Sequence, residues 1–327
     1  MVTLSLIQQP ILESLAEFDK FIADQFRTDN PILGEMLIDA LSSRGKGVRP
    51  IMVMLAAGLT SPSGVVTRRA HIAAMMVEMI HLSSLIHDDV IDEALTRRNK
   101  PSLNAKWQSK RAVLTGDYIL ARNISIGLQS GQYDLVTHTV GAIATLCEGE
   151  VIQDDFARKH TMTREGYLDI IAKKTASLIS ISASSGAKAA GASAEHINLM
   201  REFGRAVGMA FQIQDDILDY TPTANSGKAT YQDLMEGKIT LPLLILLERC
   251  SDAQKAEVLR LVESATTSDE SIEKLAKFVD DNSGVELARD VMQAYIDRAI
   301  SILGEFPDSK YRTALINLCA YITQRDR

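Results

Sequence analysis

The stretch from Ala70 to Ile91 is apolar on most helical faces and then ends in charge, as Leu85-Ile86-His87-Asp88-Asp89-Val90-Ile91-Asp92-Glu93. A helix that is apolar all round must be buried among other helices. Its acidic end cannot follow it into the core, because clustered carboxylates repel one another and need cations. A fold that accepts this segment must supply a large apolar interior with a polar opening where the helix stops. The rest of the chain has the same character. Ala, Leu, Met, Glu and Lys are common, aromatic residues are only 5%, and alternating β-branched strands are hard to find. Turn signals recur at helix-length intervals, among them Asp29-Asn30-Pro31, Ser42-Ser43-Arg44-Gly45, Ser61-Pro62-Ser63-Gly64 and Ser130-Gly131. Asp29-Asn30-Pro31 reads as a helix stop and restart. The spacing predicts about ten or more helices, with long ones near 66–92, 104–129, 133–158, 163–188 and 195–220. No linker and no fixed-period repeat divides the chain. Residues 1–327 therefore read as a single all-α domain, one large bundle of long helices, with the more evenly amphipathic last third from about residue 250 packed outside the core.

Composition narrows the function classes. Of 327 residues, 46% are apolar and 24% charged, which suits a large core and excludes intrinsic disorder. The net charge of −7 and a pI near 5.5 disfavour nucleic acid as a partner. Cys147, Cys250 and Cys319 lie far apart without a CxxC pair, which argues against a disulfide framework or a structural zinc site and for a reducing, cytoplasmic location. The N-terminal segment lacks a basic n-region, so no signal peptide is expected. The longest uncharged run, Pro50 to Thr67, is broken by Pro and Gly, so no membrane anchor is expected.

The acidic pattern occurs twice. Phe211-Gln212-Ile213-Gln214-Asp215-Asp216-Ile217-Leu218-Asp219 also ends a largely apolar helix. Asp88 and Asp92 share one helix face, as do Asp215 and Asp219. One such cluster reads readily as a solvated helix end; two, each closing a buried helix, do not. Carboxylates without His or Cys suit Mg²⁺ or Mn²⁺, and magnesium is commonly held by one or two carboxylates together with substrate phosphates. Asp154-Asp155 lacks a fourth-position partner and reads as surface. Cations fall near both clusters: Gly45-Lys46-Gly47-Val48-Arg49-Pro50 on a glycine-rich turn, Arg97-Arg98 just past Asp92, Lys173-Lys174-Thr175 mid-helix, and Lys228 and Lys238 after Asp219. Each alone also reads as solvated surface; together they suit diphosphate binding.

GKGVRP, HDDVIDEALTRR, KKTASL, FQIQDDILDY and SGKATYQDLMEGKITLPLL stand in the order and spacing of the trans-isoprenyl (polyprenyl) diphosphate synthases, and over about residues 40–250 the chain resembles that family. The resemblance implies an isoprenoid-synthase bundle around a deep central cavity, usually a homodimer. It implies a prenyltransferase that joins isopentenyl diphosphate to geranyl, farnesyl or geranylgeranyl diphosphate by ionisation, condensation and elimination, giving an all-trans product. It assigns Asp88, Asp92 and Asp215 as the main ligands of three Mg²⁺ ions, for which Mn²⁺ can substitute, supported by Asp89, Asp216 and Asp219. It assigns Lys46, Arg49, His81 and Arg98 to isopentenyl diphosphate. Arg97, Lys174, Thr175, Gln212, Lys228 and Lys238 fall to the allylic diphosphate, the last five also to catalysis. His81 alone also reads as a core histidine bonded to a carbonyl. The chain departs from the family at Tyr231 and Asn99, where glycine is usual.

Ser83 and Ser84 stand where bulky aromatics in the family floor the product pocket and stop growth early. Ile80 and Met76 lie one and two turns deeper, each turn of four residues adding about 6 Å. This predicts a product longer than geranylgeranyl diphosphate, with Met75, Met76 or Met79 near the floor. The alternatives are a short-chain farnesyl or geranylgeranyl diphosphate synthase and methionines that merely fill the core. Rival readings fit less well. A terpene cyclase has no need for GKxxRP and normally replaces the second DDxxD. A di-iron bundle needs two ExxH motifs, and only Glu78-Met79-Ile80-His81 fits. A helical scaffold has no reason to keep two metal-type clusters, and a non-catalytic subunit of a two-part synthase would typically have lost some of these residues.

Overall fold

The computed structural model describes residues 2–98, 100–159, 162–221 and 231–324. Lys228 and Asn99 lie outside the described residues. The chain opens with α1 (Leu4–Gln8), a 3₁₀ turn, α2 (Leu12–Gln25), α3 (Pro31–Ser42) and α4 (Val48–Thr60). The first acidic helix is α5 (Arg68–Ile91), followed by a two-stranded hairpin of β1 (Thr96–Arg97) and β2 (Lys100–Pro101). Next come α6 (Leu103–Trp107), α7 (Ser109–Gln129), α8 (Tyr133–Lys159) and α9 (Arg164–Ile171). A π turn over Ala172–Ala176 joins α9 to α10 (Ser177–Ala189), and α11 (Ala194–Asp219) is the second acidic helix. The chain finishes with α12 (Gln232–Met235), α13 (Leu241–Leu247), α14 (Asp252–Ala265), α15 (Asp269–Asp281), α16 (Gly284–Leu303) and α17 (Lys310–Thr323).

Local chemistry explains many of the boundaries. Asn30 Oδ1 accepts from the Leu33 N–H at 3.1 Å with Pro31 in the first turn, which is the predicted stop and restart. Ser102, Thr163, Ser193, Ser268 and Ser309 cap their helices in the same manner, and Ser251 with Gln254 forms a capping box. The helix predicted over 104–129 is broken at Gln108, whose φ of 68° is left-handed.

The core is built by α4, α5, α10 and α11. Along α5, every residue from Ala70 to Ile80 is buried. Helix α10 lies so close on α4 that a Cβ at Gly186 would stand 2.1 Å from the Val53 carbonyl oxygen, a space only glycine leaves open. The last third does not all pack outside this core. Helix α16 lies along α11 and buries Ala288, Met292, Ile296, Ala299 and Leu303 in the same apolar cluster. Its amphipathic pattern is that of a helix with one face inside.

Among the described residues, two helical spans are long and apolar enough to cross a membrane, Arg68–Ile91 and Tyr133–Phe156. The first is 78% buried as the core helix, whereas the second is only 28% buried. Tyr133 and Val151 on α8, with Leu114 and Leu128 on α7, leave large apolar side chains exposed.

Candidate active site

The two acidic helices end in the same internal arrangement. Within each Asp-Asp pair, the second residue turns inward and the first toward the opening. Asp89 and Asp216 are buried at 3% and 4% exposure, whereas Asp88 and Asp215 are half-buried. Successive helical residues are rotated by about 100°, so adjacent aspartates cannot share an environment. Asp89 is held by Arg97, whose Nε and Nη2 both reach its Oδ1 at 2.7 Å. The β1–β2 hairpin returns Arg97 onto the helix that the chain has just left. Asp216 is held by neutral donors: the Tyr167 hydroxyl donates to Oδ2 at 2.6 Å, and Gln212 Nε2 donates to Oδ1 at 2.9 Å. Asp219 Oδ2 accepts from the Asp233 N–H at 3.0 Å and fixes the entry to α12.

Two lysines face both clusters. Lys174, on the π turn, pairs with Glu150 of α8 at 2.7 Å and lies 3.4 Å from Gln153 Oε1. A π turn offsets the side chains that follow it, and such bulges are frequent at functional sites. The Asp88 carboxyl is pushed up to about 6 by burial first and then by Glu150 and Asp92, against the pull of Lys174 and Arg97. Burial works against the Lys238 charge, but Glu236, Asp233 and Asp92 more than offset it and hold the ammonium above its usual value. Lys238 thus feels carboxylates from both ends of the site. Asp233, 14 residues beyond Asp219, is pushed up to about 6 by burial and by Asp219.

Between these groups lies a cavity of ≈ 150 Å³ lined by Lys174, Thr175, Gln212, Asp216, Asp233 and Lys238, with Tyr167, Gln153 and several apolar side chains. Four of the residues predicted for the allylic diphosphate therefore line one space. The basic group predicted for isopentenyl diphosphate assembles on the α5 side. Arg49, His81 and Arg98 act on one another's charge around the buried Glu78. Burial pulls the Arg49 guanidinium down to about 10, and its buried Nε has no hydrogen-bond partner. Burial, Arg49 and Arg98 hold His81 well below its usual value, which favours the neutral imidazole. Arg98 Nη1 donates to the Ser43 carbonyl at 2.7 Å, and its guanidinium lies over Gly45, where a Cβ would stand 2.5 Å away. Lys46 on the same turn is exposed and donates to the Tyr321 hydroxyl at 3.0 Å.

The four product-pocket residues do not line the ≈ 150 Å³ cavity. Ser83 is buried and donates to the Gly116 carbonyl, while Ser84 is half-buried and donates to the His81 carbonyl. Ile80 is 3% exposed and Met76 fully enclosed. Asn123 donates to the Met76 carbonyl at 3.0 Å, and the Thr139 hydroxyl lies 3.9 Å from Met76 Sδ. Met76 is thus closed in by α7 and α8, two turns below the serines.

Tyr231 has φ 64°, the left-handed conformation that explains why glycine is usual there. The site also contains Glu78, Glu150, Gln153, Tyr167 and Asp233, none of which sequence reasoning selected. Glu150 and Gln153 stand one turn before or beside the dismissed Asp154-Asp155 pair, and that acidic segment was their only local signal.

The carboxylates suit a hard divalent cation. Among the described residues no three His, Cys, Asp or Glu side chains converge on a single metal position.

Known proteins place the chain. The family model described as Polyprenyl synthetase matches residues 30–279. An all-trans-nonaprenyl-diphosphate synthase (geranyl-diphosphate specific) of Rhodobacter capsulatus is 33% identical over 313 residues, covering 95% of each chain. Heptaprenyl diphosphate synthase component 2 of Bacillus subtilis is 35% identical over 91% of this chain and 84% of its own. The crystal structure of a decaprenyl diphosphate synthase from Rhodobacter capsulatus superposes with TM-score 0.92 at 30% identity, covering 99% of this chain and all of that one. A polyprenyl synthase from Caulobacter crescentus CB15, complexed with calcium and isoprenyl diphosphate, superposes with TM-score 0.89 at 29% identity, covering 99% of this chain and 98% of that one. The chain belongs to the polyprenyl synthetase family of prenyltransferases.

Proposed function

We propose that the protein condenses isopentenyl diphosphate with an allylic diphosphate and releases an all-trans polyprenyl diphosphate longer than C20. The observation that carries this reading is that Lys174 and Lys238 line one cavity with Asp216 of the second acidic helix while interacting electrostatically with Asp88 and Asp92 of the first. A site that must release diphosphate from an allylic carbon needs fixed positive charge where negative charge develops. Lys174 and Lys238 supply it, with Arg97 beside them and Lys228 assigned from sequence. Gln212 and Thr175 fix the orientation of the leaving group. Asp88, Asp92 and Asp215 would hold Mg²⁺, supported by Asp89, Asp216 and Asp219. Three such ions, or Mn²⁺ in their place, would neutralise the diphosphate charge as it develops.

Arg49, Arg98 and Lys46 hold the second diphosphate, and the neutral His81 donates a hydrogen bond without adding to the crowded positive charge. The attacking electrons come from the double bond of isopentenyl diphosphate, so no protein nucleophile is required. The apolar helices around the site exclude water that would quench an allylic cation.

The long product is supported by the small side chains of Ser83 and Ser84, by the depth of Ile80 and Met76, and by relatives named for nonaprenyl and heptaprenyl products. Ser84→Phe is expected to shorten the product by about one or more isoprene units, on the basis of about 6 Å of depth per helical turn; chromatography of labelled products checks it. The exposed apolar stretch of α8, with Leu114 and Leu128 of α7, suits a second copy of this chain, so we place the homodimer contact there. Three cysteines free of disulfides support a cytoplasmic location.

The functional test is incubation of purified protein with labelled isopentenyl diphosphate, Mg²⁺ and geranyl, farnesyl or geranylgeranyl diphosphate in turn. Products beyond twenty carbons are expected, and failure to elongate any primer contradicts the reading. A second reading rests on the component 2 relative: the chain works only with a partner subunit. Activity of the purified chain alone excludes it.

A further inference from the structure

Thr175 on the π turn donates from its hydroxyl to Gln212 Oε1 at 2.7 Å. Gln212 Nε2 donates onward to Asp216 Oδ1 at 2.9 Å, and Tyr167 donates to Asp216 Oδ2 at 2.6 Å. The direction of this chain is fixed by the Gln212 amide, whose NH₂ can only donate and whose carbonyl can only accept. Asp216 therefore turns the Gln212 amide so that its NH₂ faces the carboxylate and its carbonyl faces Thr175. One N–H is used by Asp216, and the other remains for an anionic oxygen in the cavity. The Thr175 proton is committed to Gln212.

Asp216 can hold that orientation only if its own carboxylate cannot rotate. It is 4% exposed, and Gln212 secures only one oxygen. Tyr167 on α9, itself 4% exposed, secures the other.

 
Helix α9 carries no aspartate motif, so this hydroxyl reaches the α11 carboxylate from a separate element across the cavity wall. Tyr167 also lines the cavity, beside Lys174 and Thr175.

Resting on the functional reading above, we infer that Tyr167 is a positioning residue for prenyl transfer: by clamping Asp216 it fixes Gln212 and Thr175 against the allylic diphosphate. Without the clamp, the buried Oδ2 loses its partner and the carboxylate turns toward the cavity, releasing the Gln212 amide. The Arg49, His81 and Arg98 group lies on α4, α5 and the hairpin and shares none of these hydrogen bonds.

The test is steady-state kinetics of Tyr167→Phe and Tyr167→Met with farnesyl diphosphate, isopentenyl diphosphate and Mg²⁺. Both variants are expected to raise the KM for farnesyl diphosphate by about tenfold, the weight of one hydrogen bond to a charged group. The KM for isopentenyl diphosphate is expected to stay within about twofold of wild type, a split that general loosening of the fold does not produce. The Mg²⁺ concentration for half-maximal rate in Tyr167→Phe is expected to be unchanged, which separates this route from one through the metal. Tyr167→Met, which also lacks the hydroxyl, keeps the test decisive should Tyr167→Phe fail to fold. Active wild type with an unchanged farnesyl diphosphate KM in the folded variants, equal rises in both KM values, or a shifted Mg²⁺ curve overturns this inference alone. Wild type that elongates no primer overturns the functional reading and this inference with it.

Discussion

Asp89 and Asp216 hold the same place in the two DDxxD patterns, and both turn into the protein, but they meet different partners. At the end of α5 the partner is a cation, Arg97, delivered by a hairpin eight residues on. At the end of α11 the partners are neutral, a tyrosine hydroxyl from α9 and a glutamine amide one turn back on the same helix. The first arrangement neutralises the inner charge and leaves Asp88 and Asp92 to carry the negative field. The second offers the inner carboxyl two neutral donors and no cation, and burial with the nearby Asp233 pushes its ionisation well above the usual carboxylate range. One motif therefore does not mean one environment. The α5 end stands among arginines, next to the group suited to isopentenyl diphosphate, and the α11 end faces the cavity that holds Lys174 and Lys238.

The comparison can be broken at several points. The largest effect is expected at the outward aspartates. Asp88→Asn and Asp215→Asn are each expected to lower kcat/KM by about 10²–10³-fold or more, the scale seen when a group stabilising transition-state charge is removed; initial rates with farnesyl diphosphate check this. The inward aspartates should separate in stability. Asp89→Asn strips Arg97 of its charge partner and is expected to cost about 2 kcal/mol, whereas Asp216→Asn is expected to stay within about 1 kcal/mol, because its partners are uncharged. Urea unfolding curves of the two variants measure the difference. Gly45→Ala probes the basic neighbour of the α5 end. Its new Cβ must displace the Arg98 guanidinium, so the KM for isopentenyl diphosphate is expected to rise about tenfold with little change for the allylic substrate. The smallest effect is expected at Tyr231, beyond the α11 end. Tyr231→Gly removes a left-handed strain of about 1 kcal/mol but also the edge contact with Tyr220 at 6.1 Å. The melting temperature is expected to move by only a few degrees.

Much of this was legible because it is local. The two aspartate clusters, the capped helix starts and the long apolar helices are patterns within a few residues, and helices α5, α8 and α11 fall close to the predicted spans. The left-handed turn at Tyr231 was signalled by a missing glycine. What the sequence could not display are partners set by packing. Tyr167 meets Asp216 across 49 positions and Lys174 meets Glu150 across 24. Nothing in either local segment marks these pairs, and two adjacent aspartates do not announce which will face inward. The hairpin strands are two residues each, too short for any periodicity. The break at Gln108 depends on a backbone conformation that glutamine seldom adopts.

The central claim is that both acidic helix ends serve one site. A double-mutant cycle of Asp88→Asn and Asp215→Asn, read as kcat/KM for condensation of isopentenyl diphosphate with farnesyl diphosphate, tests it most directly. Groups that act as a unit are strongly non-additive, so the account predicts that the double variant is about as slow as the slower single variant. Losses that multiply across the two variants would mean that the ends act independently, and would contradict it.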